Sequence, residues 1–342
     1  MAKNKRYRVA IVGAGNVAAH HVRAWQQIGD VEVKYLCSRA GKKLMEFAEK
    51  FALKPTSDLQ DILSDPAIDI VDLTVPSGLH AELGIAAAKA GKHVVVEKPI
   101  DVTMEKADAL IDTCRQQQVT LGVISQYRFM DSAQKMYEYI RQGKLGRLLQ
   151  GDASVKWYRS QAYYDSGAWR GTYALDGGGC FVNQAIHFID LLLSVMGPVK
   201  SVTAKTRKAI HNIEVEDMGV ALLEFQSGAL GVVEASTSFY PGLPARLDIH
   251  GSKGTIRLEG EKIGLIHVEG EEPVTAEKAT AAGAADPMSI DVTPFVRQFN
   301  DILAAIRENR EPLVSGREAR NALVLVLAIY RSAETGQTVT LF

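Results

Sequence analysis

Two short stretches hold residues whose types and spacing suit proton transfer. The first is GGGCFVNQAIHFIDLLLSVMG, residues 177–197. Read as a helix, it puts Asn183, His187 and Asp190 at spacings of four and three, on one face. The rest of the run is apolar nearly all round, so the helix is expected to be buried, and aligned polar groups there call for a chemical reason. The second is HVVVEKPID, which sets Glu97, Lys98 and Pro99 at the C-terminal end of a strand. Pro99 biases Lys98 toward an extended backbone. Partial desolvation lowers the pKa of an amine held there, by up to several units in the extreme. Such a lysine trades protons with a hydroxyl near neutral pH. Taken alone, a Lys–Pro pair is equally consistent with an ordinary surface turn.

A third stretch binds rather than reacts. Gly13-Ala14-Gly15-Asn16-Val17-Ala18 is a G-x-G-x-x-A variant of the dinucleotide fingerprint, placed between the strand YRVAIV and a helical run. Gly13 permits the tight turn and Gly15 lets the backbone approach a pyrophosphate. Asn16 and Val17 open a helix whose N-terminus attracts phosphates, and Ala18 keeps that helix close to the strand. About 20 residues on, where an acid would bind a ribose 2′-hydroxyl, stand Cys37-Ser38-Arg39, with Lys42 and Lys43 behind. A hydroxyl with cations suits a 2′-phosphate and favours NADP. The alternative is NAD held by Ser38 alone, with Arg39 and the lysines a solvated helix start.

These stretches need elements to position them. Over residues 1–125, strand and helix patterns alternate: YRVAIV, VEVKYLC, IDIVDLTVP, HVVVEKP and VTLGVIS read as strands with helical runs between. That is the pattern of parallel βαβ units in a doubly wound sheet. Beyond residue 126 the character changes. GRLLQGDASVKWYRS reads as a long strand, and hairpins turn at Gln226-Ser227-Gly228 and Ser252-Lys253-Gly254. Successive hairpins imply a mostly antiparallel sheet. Two closing helices and a short strand, TVTLF, follow, and 269–287 is expected to be a surface loop. The expected domains are 1–125 for the dinucleotide and 126–342 for substrate binding and oligomerisation.

Composition narrows the function classes. The 342 residues are 46% hydrophobic and 23% charged, as in an ordinary water-soluble globular protein. Lys plus Arg number 39 against 40 for Asp plus Glu, so no global charge favours nucleic acid or an anionic membrane. Three dispersed cysteines argue against a disulfide framework, no run is long enough for a membrane span, and the N-terminal apolar run is too short and glycine-rich for a signal segment. The expected location is the cytoplasm.

Taken in order, GAGNVA, Val75-Pro76 with His80, EKP at 97–99 and GGG…NQAIHFID at 177–190 resemble the Gfo/Idh/MocA oxidoreductases. SGAWRGTYALDGGG, MGPV and HGSKGTIRLEG extend the resemblance over nearly the whole chain. It implies an α/β fold: an N-terminal Rossmann domain, and a C-terminal α/β domain with a large, open, mostly antiparallel sheet. It implies NAD(P)-dependent oxidation or reduction of sugars, nucleotide-sugars or cyclitols by homodimers or homotetramers. Lys98 matches the catalytic lysine and His187 the histidine on the reacting hydroxyl. The cofactor set becomes Gly13, Gly15, Asn16, Val17, Ser38, Arg39, Pro76, His80, Glu97, Lys98 and Arg170. One departure matters: inositol-dehydrogenase-like members carry Asp four residues before the histidine, where this chain has Asn183. An amide relays no proton, which weakens the cyclitol reading. GGG-x-x-x-NQ-x-IH is more similar to members acting on nucleotide-linked amino-sugar uronates and other modified sugars.

Gln126, Tyr163, Trp169, Asn183, Gln184 and His187 are the candidate substrate residues. Aromatic faces suit the apolar sides of sugar rings, and Arg170 suits a phosphate or carboxylate; ordinary packing with an exposed arginine is the competing account. Asp190, further along the helix, is expected to be a structural partner of a buried polar group. No His, Cys or carboxylate grouping has metal-ligand spacing, so no metal is expected. Competing functions are an NAD-dependent glycosidase using transient oxidation, a non-catalytic NAD(P)-binding regulator, and a dehydrogenase of small apolar substrates.

Overall fold

A computed structural model of the chain describes residues 5–275 and 291–341. The chain groups into two compact units: Met1–Gln126 with Asp291–Arg320, and Tyr127–Ile290 with Asn321–Phe342.

The first unit is built on β1 (Tyr7–Val12), β2 (Val31–Cys37), β3 (Lys54–Thr56), β4 (Ile70–Leu73), β5 (His93–Val96) and β6 (Leu121–Val123). They pair in the order β3-β2-β1-β4-β5-β6, every pair parallel. This is the Rossmann order, with a topological switch point between β1 and β4. Parallel strands are covered on both faces, so β1, β4 and β5 are near-continuous apolar runs with almost every residue buried. The connecting helices are α1 (Asn16–Gln26), α2 (Lys42–Phe51), α3 (Gln60–Leu63), α4 (His80–Lys89) and α5 (Met104–Gln116).

The second unit begins with α6 (Asp131–Arg141), β7 (Leu148–Lys156), α7 (Gln161–Asp165) and α8 (Ile186–Met196). Then come β8 (Val199–Arg207), β9 (Met218–Phe225), β10 (Leu230–Ser236), β11 (Arg246–Gly251), β12 (Gly254–Glu259), β13 (Lys262–Val268) and β14 (Val274–Thr275). With the terminal β15 (Val339–Thr340) they form a nine-stranded sheet, β14-β13-β12-β11-β7-β10-β9-β8-β15. Among the described residues, only the β7–β10 pair of this sheet is parallel. Both expected hairpins form, as β9–β10 and β11–β12. One face of β9 carries Ala221, Leu223 and Phe225 into the core with Phe181, Phe188 and Leu192 from around α8; Val220 and Leu222 point the other way and are exposed. The expected loop at 269–287 falls largely on residues 276–287, outside the described residues.

The two closing helices are α9 (Thr293–Glu308) and α10 (Gly316–Thr335). A reading that assigns all of 126–342 to the second domain differs here, because 291–320 group with the Rossmann unit. The reason is aromatic packing and a buried amide. Phe299 stacks on Trp25 of α1 with ring centroids 3.9 Å apart. The Gln298 side chain accepts from the Ser125 amide at 3.0 Å and donates to Val123 O at 2.8 Å. Among the described residues, no helix is long and apolar enough to cross a membrane.

Candidate functional site

In the first unit, the turn after β1 is built as a cradle. Gly13 has φ +115°, and a Cβ there would lie 2.5 Å from the Thr74 carbonyl oxygen, so only glycine fits. Its amide donates to Cys37 O at 2.8 Å, and the Thr74 hydroxyl donates to Val12 O at 3.1 Å, which ties the turn to β2 and β4. Gly15 faces open space: the nearest atom to a Cβ there is 3.9 Å away. α1 then starts at exposed Asn16, with no side-chain cap and no acid in its first turn, so its amides remain available to an anion. Val17 is half-buried beside them, and fully buried Ala18 lets the helix sit close to the sheet. These features fit a dinucleotide pyrophosphate. Half-buried Ser38 and exposed Arg39 follow β2 directly, the Ser38 amide being tied to Thr56 O at 3.1 Å.

The EKP turn ends β5 and rests on a buried network that sequence reading missed. One Glu97 carboxylate oxygen accepts from the Lys98 amide at 3.1 Å, and the other lies 3.0 Å from His21 Nε2. His21 Nδ1 is 2.8 Å from Asp72 Oδ2, which also accepts from the Trp25 indole at 2.8 Å. Burial disfavours a charged ring, but Asp72 and Glu97 together raise the His21 pKa to about 10, so an imidazolium donates to both carboxylates. Glu97 therefore anchors the turn from below. His80, expected at the cofactor, is likewise turned inward: its ring nitrogens lie 2.8 Å from Pro99 O and 3.0 Å from Val75 O. Burial holds its pKa down, so the neutral ring donates to one of them and ties the Pro76 turn to the Lys98–Pro99 turn. Gln126, at the end of this unit, is buried, and its amide oxygen has no hydrogen-bond partner among the described residues.

In the second unit, the polar helix face starts from a tight corner. A Cβ on Gly178, at φ +150°, would lie 2.2 Å from the Tyr330 hydroxyl, and one on Gly179 would lie 1.7 Å from Glu216 O. The chain itself, rather than a cofactor or sugar, takes up the room that these two glycines leave. The Glu216 carboxylate accepts from the amides of Gly179 (3.0 Å) and Phe181 (3.1 Å) and from the Tyr330 hydroxyl (2.9 Å). It caps a π-helical turn, Phe181–Ala185, that leads into α8, a local geometry that often accompanies function. Asn183 and His187 are half-buried in a run whose neighbours are almost all buried. The Asn183 amide donates to Asp176 at 2.7 Å, and the His187 ring stacks on Tyr127 with centroids 4.8 Å apart. Gln184 is buried, and its amide oxygen has no hydrogen-bond partner among the described residues, an unmet acceptor suited to a hydroxyl. Asp190 pairs with Arg128 through two bonds, at 2.7 and 2.6 Å.

Arg170, Tyr163 and Trp169 stand together. The Arg170 guanidinium lies over both rings, 4.2 Å from the Tyr163 centroid and 4.5 Å from that of Trp169.

The chain matches a family model described as "Oxidoreductase family, NAD-binding Rossmann fold" over residues 7–125, and the GFO/IDH/MocA C-terminal domain over residues 133–257. A solved structure of the WlbA dehydrogenase from Bordetella pertussis, in complex with NADH and UDP-GlcNAcA, is 34% identical, with a TM-score of 0.87 over 99% of this chain and 98% of that one. D-apiose dehydrogenase from Paraburkholderia graminis is 28% identical over 98% of this chain and 90% of its own length. The NADP(+)-dependent scyllo-inositol 2-dehydrogenase IolW of Bacillus subtilis is 26% identical over 83% of this chain and 82% of its own length.

Proposed function

Because the chain belongs to the Gfo/Idh/MocA family of oxidoreductases, we propose that it transfers hydride between a nicotinamide cofactor and a hydroxyl- or keto-bearing carbon of a sugar, nucleotide-sugar or cyclitol. A bound nicotinamide supplies the hydride acceptor or donor. The chain's own residues hold the substrate and move the proton. The observation that carries this reading is Lys98, at the C-terminal end of a parallel strand, with its amide fixed by a carboxylate that is itself locked in a buried ion network.

Lys98 acts as general acid/base for the substrate hydroxyl, and His187 orients that hydroxyl or shares its proton. Asn183 contributes hydrogen bonding only. Its amide, turned on Asp176, relays no proton, and this argues against a cyclitol as the natural substrate. Gly13, Gly15, Asn16 and Val17 hold the pyrophosphate. Ser38 and Arg39 favour NADP through the 2′-phosphate; NAD is the second reading, supported by the NADH complex of the 34%-identical relative. The exposed apolar patch of Val220, Leu222 and Leu230 on the outer face of the large sheet supports a homodimer or a dimer of dimers. Three free, buried cysteines accord with a reducing compartment such as the cytoplasm.

Lys98→Met tests the assignment. Turnover on a responsive sugar is expected to fall about 10²–10⁴-fold with cofactor affinity kept; near-wild-type turnover removes Lys98 from the chemistry. Comparing NADP and NAD in the same assay, with Arg39→Ala beside wild type, tests the cofactor. A preference for NADP that Arg39→Ala abolishes is expected, and equal use of both by wild type defeats it.

A further inference from the structure

Three consecutive amides at the entry to the polar helix end on one residue. The Gly179 N–H donates to Glu216 Oε2 at 3.0 Å, the Cys180 N–H to the Glu216 backbone oxygen at 3.2 Å, and the Phe181 N–H to Oε1 at 3.1 Å. A helix leaves its first amides without intrahelical acceptors, and here one side chain and its own carbonyl supply them. The hold passes into the turn, because Gly179 O accepts from the Asn183 amide at 2.9 Å. Asn183 and Gln184 lie within that π turn, and His187 follows at the start of α8.

The acceptor is a buried acid, 5% exposed. Its carboxyl faces donors: the two amides, the Tyr330 hydroxyl at 2.9 Å and the Cys180 thiol at 3.7 Å. The Tyr330 oxygen itself already accepts from the Gly179 amide at 3.3 Å. An ionised Glu216 serves all four donors. A carboxyl proton finds no separate acceptor among the described residues, so protonation sets at least one donor free. Burial pushes the Glu216 pKa up to about 7 against the pull of those donors, so both forms are populated near neutrality. The groups around it ionise elsewhere. Burial, with the Glu216 charge, pushes the Cys180 thiol and the Tyr330 and Tyr173 hydroxyls up. Against burial, the amides of Ile210, Ala209 and His211 hold Asp217 down. Glu214 is turned to the Tyr173 amide, and the His211 ring faces Asp217 at 2.9 Å.

We propose that Glu216 is a positioning residue for hydride transfer: its ionised carboxylate sets the π turn that aims Asn183, Gln184 and His187, and its protonation slackens the turn and lowers turnover. The role rests on the oxidoreductase reading above. It sets stability against activity, since the neutral acid is cheaper to bury and the charged one holds the turn.

Two measurements on the full chain test it. The first is kcat between about pH 5.5 and 9, with a responsive sugar and saturating cofactor, for wild type, Glu216→Gln and Tyr330→Phe. Wild-type kcat is expected to rise through about pH 7. Glu216→Gln mimics the neutral acid at every pH; its kcat is expected to stay about 10–10²-fold below wild type at pH 8, without that inflection and with cofactor affinity kept. Tyr330→Phe takes one donor from the charged form and is expected to move the inflection up by about one pH unit, which a purely structural role does not do. The second is hydrogen exchange of peptides covering 177–188, corrected for the intrinsic pH dependence of exchange. Protection is expected to rise over the same pH range as kcat in wild type and to stay flat in Glu216→Gln. An inflection that keeps its place in Tyr330→Phe belongs to another group, such as His187 or His211, and overturns the role. Flat wild-type protection overturns it too, as does a Glu216→Gln with wild-type kcat at pH 8. If Glu216→Gln does not fold, the Tyr330→Phe shift decides alone. The parent reading fails differently: wild type then shows no NAD(P)-linked turnover on any sugar at any pH, whereas turnover with an immovable inflection sinks the Glu216 role alone.

Discussion

Burial alone would strip the proton from His21; two carboxylates keep it there. A ring whose folded pKa is raised from 6.5 to about 10 stabilises the fold fully below about pH 6.5, and that contribution is lost as pH rises through about 10. The urea midpoint is therefore expected to fall between pH 7 and 10, and His21→Gln to flatten that part of the curve. His21→Leu removes the imidazolium that bridges Asp72 and Glu97 and is expected to cost about 3–5 kcal/mol, measured by urea unfolding at pH 7. The network also shows the limit of reading residues from sequence. Gly13, Gly15 and Lys98 are legible because a turn and an X-Pro step declare themselves within six residues. His21, Asp72 and Glu97 meet across 51 and 76 residues, and nothing local marks them as partners.

At the scale of elements, the polar helix is set by its entry rather than by its own sequence. A regular helix after the three glycines accounts for the aligned face, yet the chain enters through a π turn clamped by Glu216. Triple glycine announces a close approach, while the approaching groups, Glu216 and Tyr330, lie 37 and 151 residues further on. Burial pushes the Glu216 carboxyl up to about 7, against the pull of the Phe181 and Tyr330 donors. The folded state then holds a proton that the unfolded chain has released, so this group's contribution falls as pH rises from about 4.5 to about 7 and is level above. Melting temperatures across pH 4.5–8 are expected to show that decline in wild type and not in Glu216→Gln. A methyl group at Gly179 meets Glu216 O head-on, and Gly179→Ala is expected to destabilise by about 3 kcal/mol or more, read as a lowered denaturant midpoint.

For the whole molecule, period-two alternation makes the large sheet legible, with a core face and an outer face. Val220 and Leu222 on β9, with Leu230 on β10, form an exposed apolar patch on the outer face, among charged neighbours such as Glu224 and Glu234. Light scattering tests the proposed self-association through this patch: a dimeric wild type and a monomeric, folded Leu222→Glu are expected; a wild-type monomer, or a variant that stays dimeric, removes the patch as the interface. The grouping of 291–320 with the first unit was not legible, since helices α9 and α10 follow the second unit in sequence and only tertiary contacts, Phe299 on Trp25 and Gln298 with Ser125 and Val123, show where α9 belongs. That return has a consequence for biogenesis. A ribosome completes residues 1–126 and then makes about 165 residues of the other unit before the segment that covers Trp25 and His21 exists. At about 5–20 residues per second, the nascent Rossmann sheet waits roughly 10–30 s with an aromatic flank bare, a window in which a chaperone has its natural place.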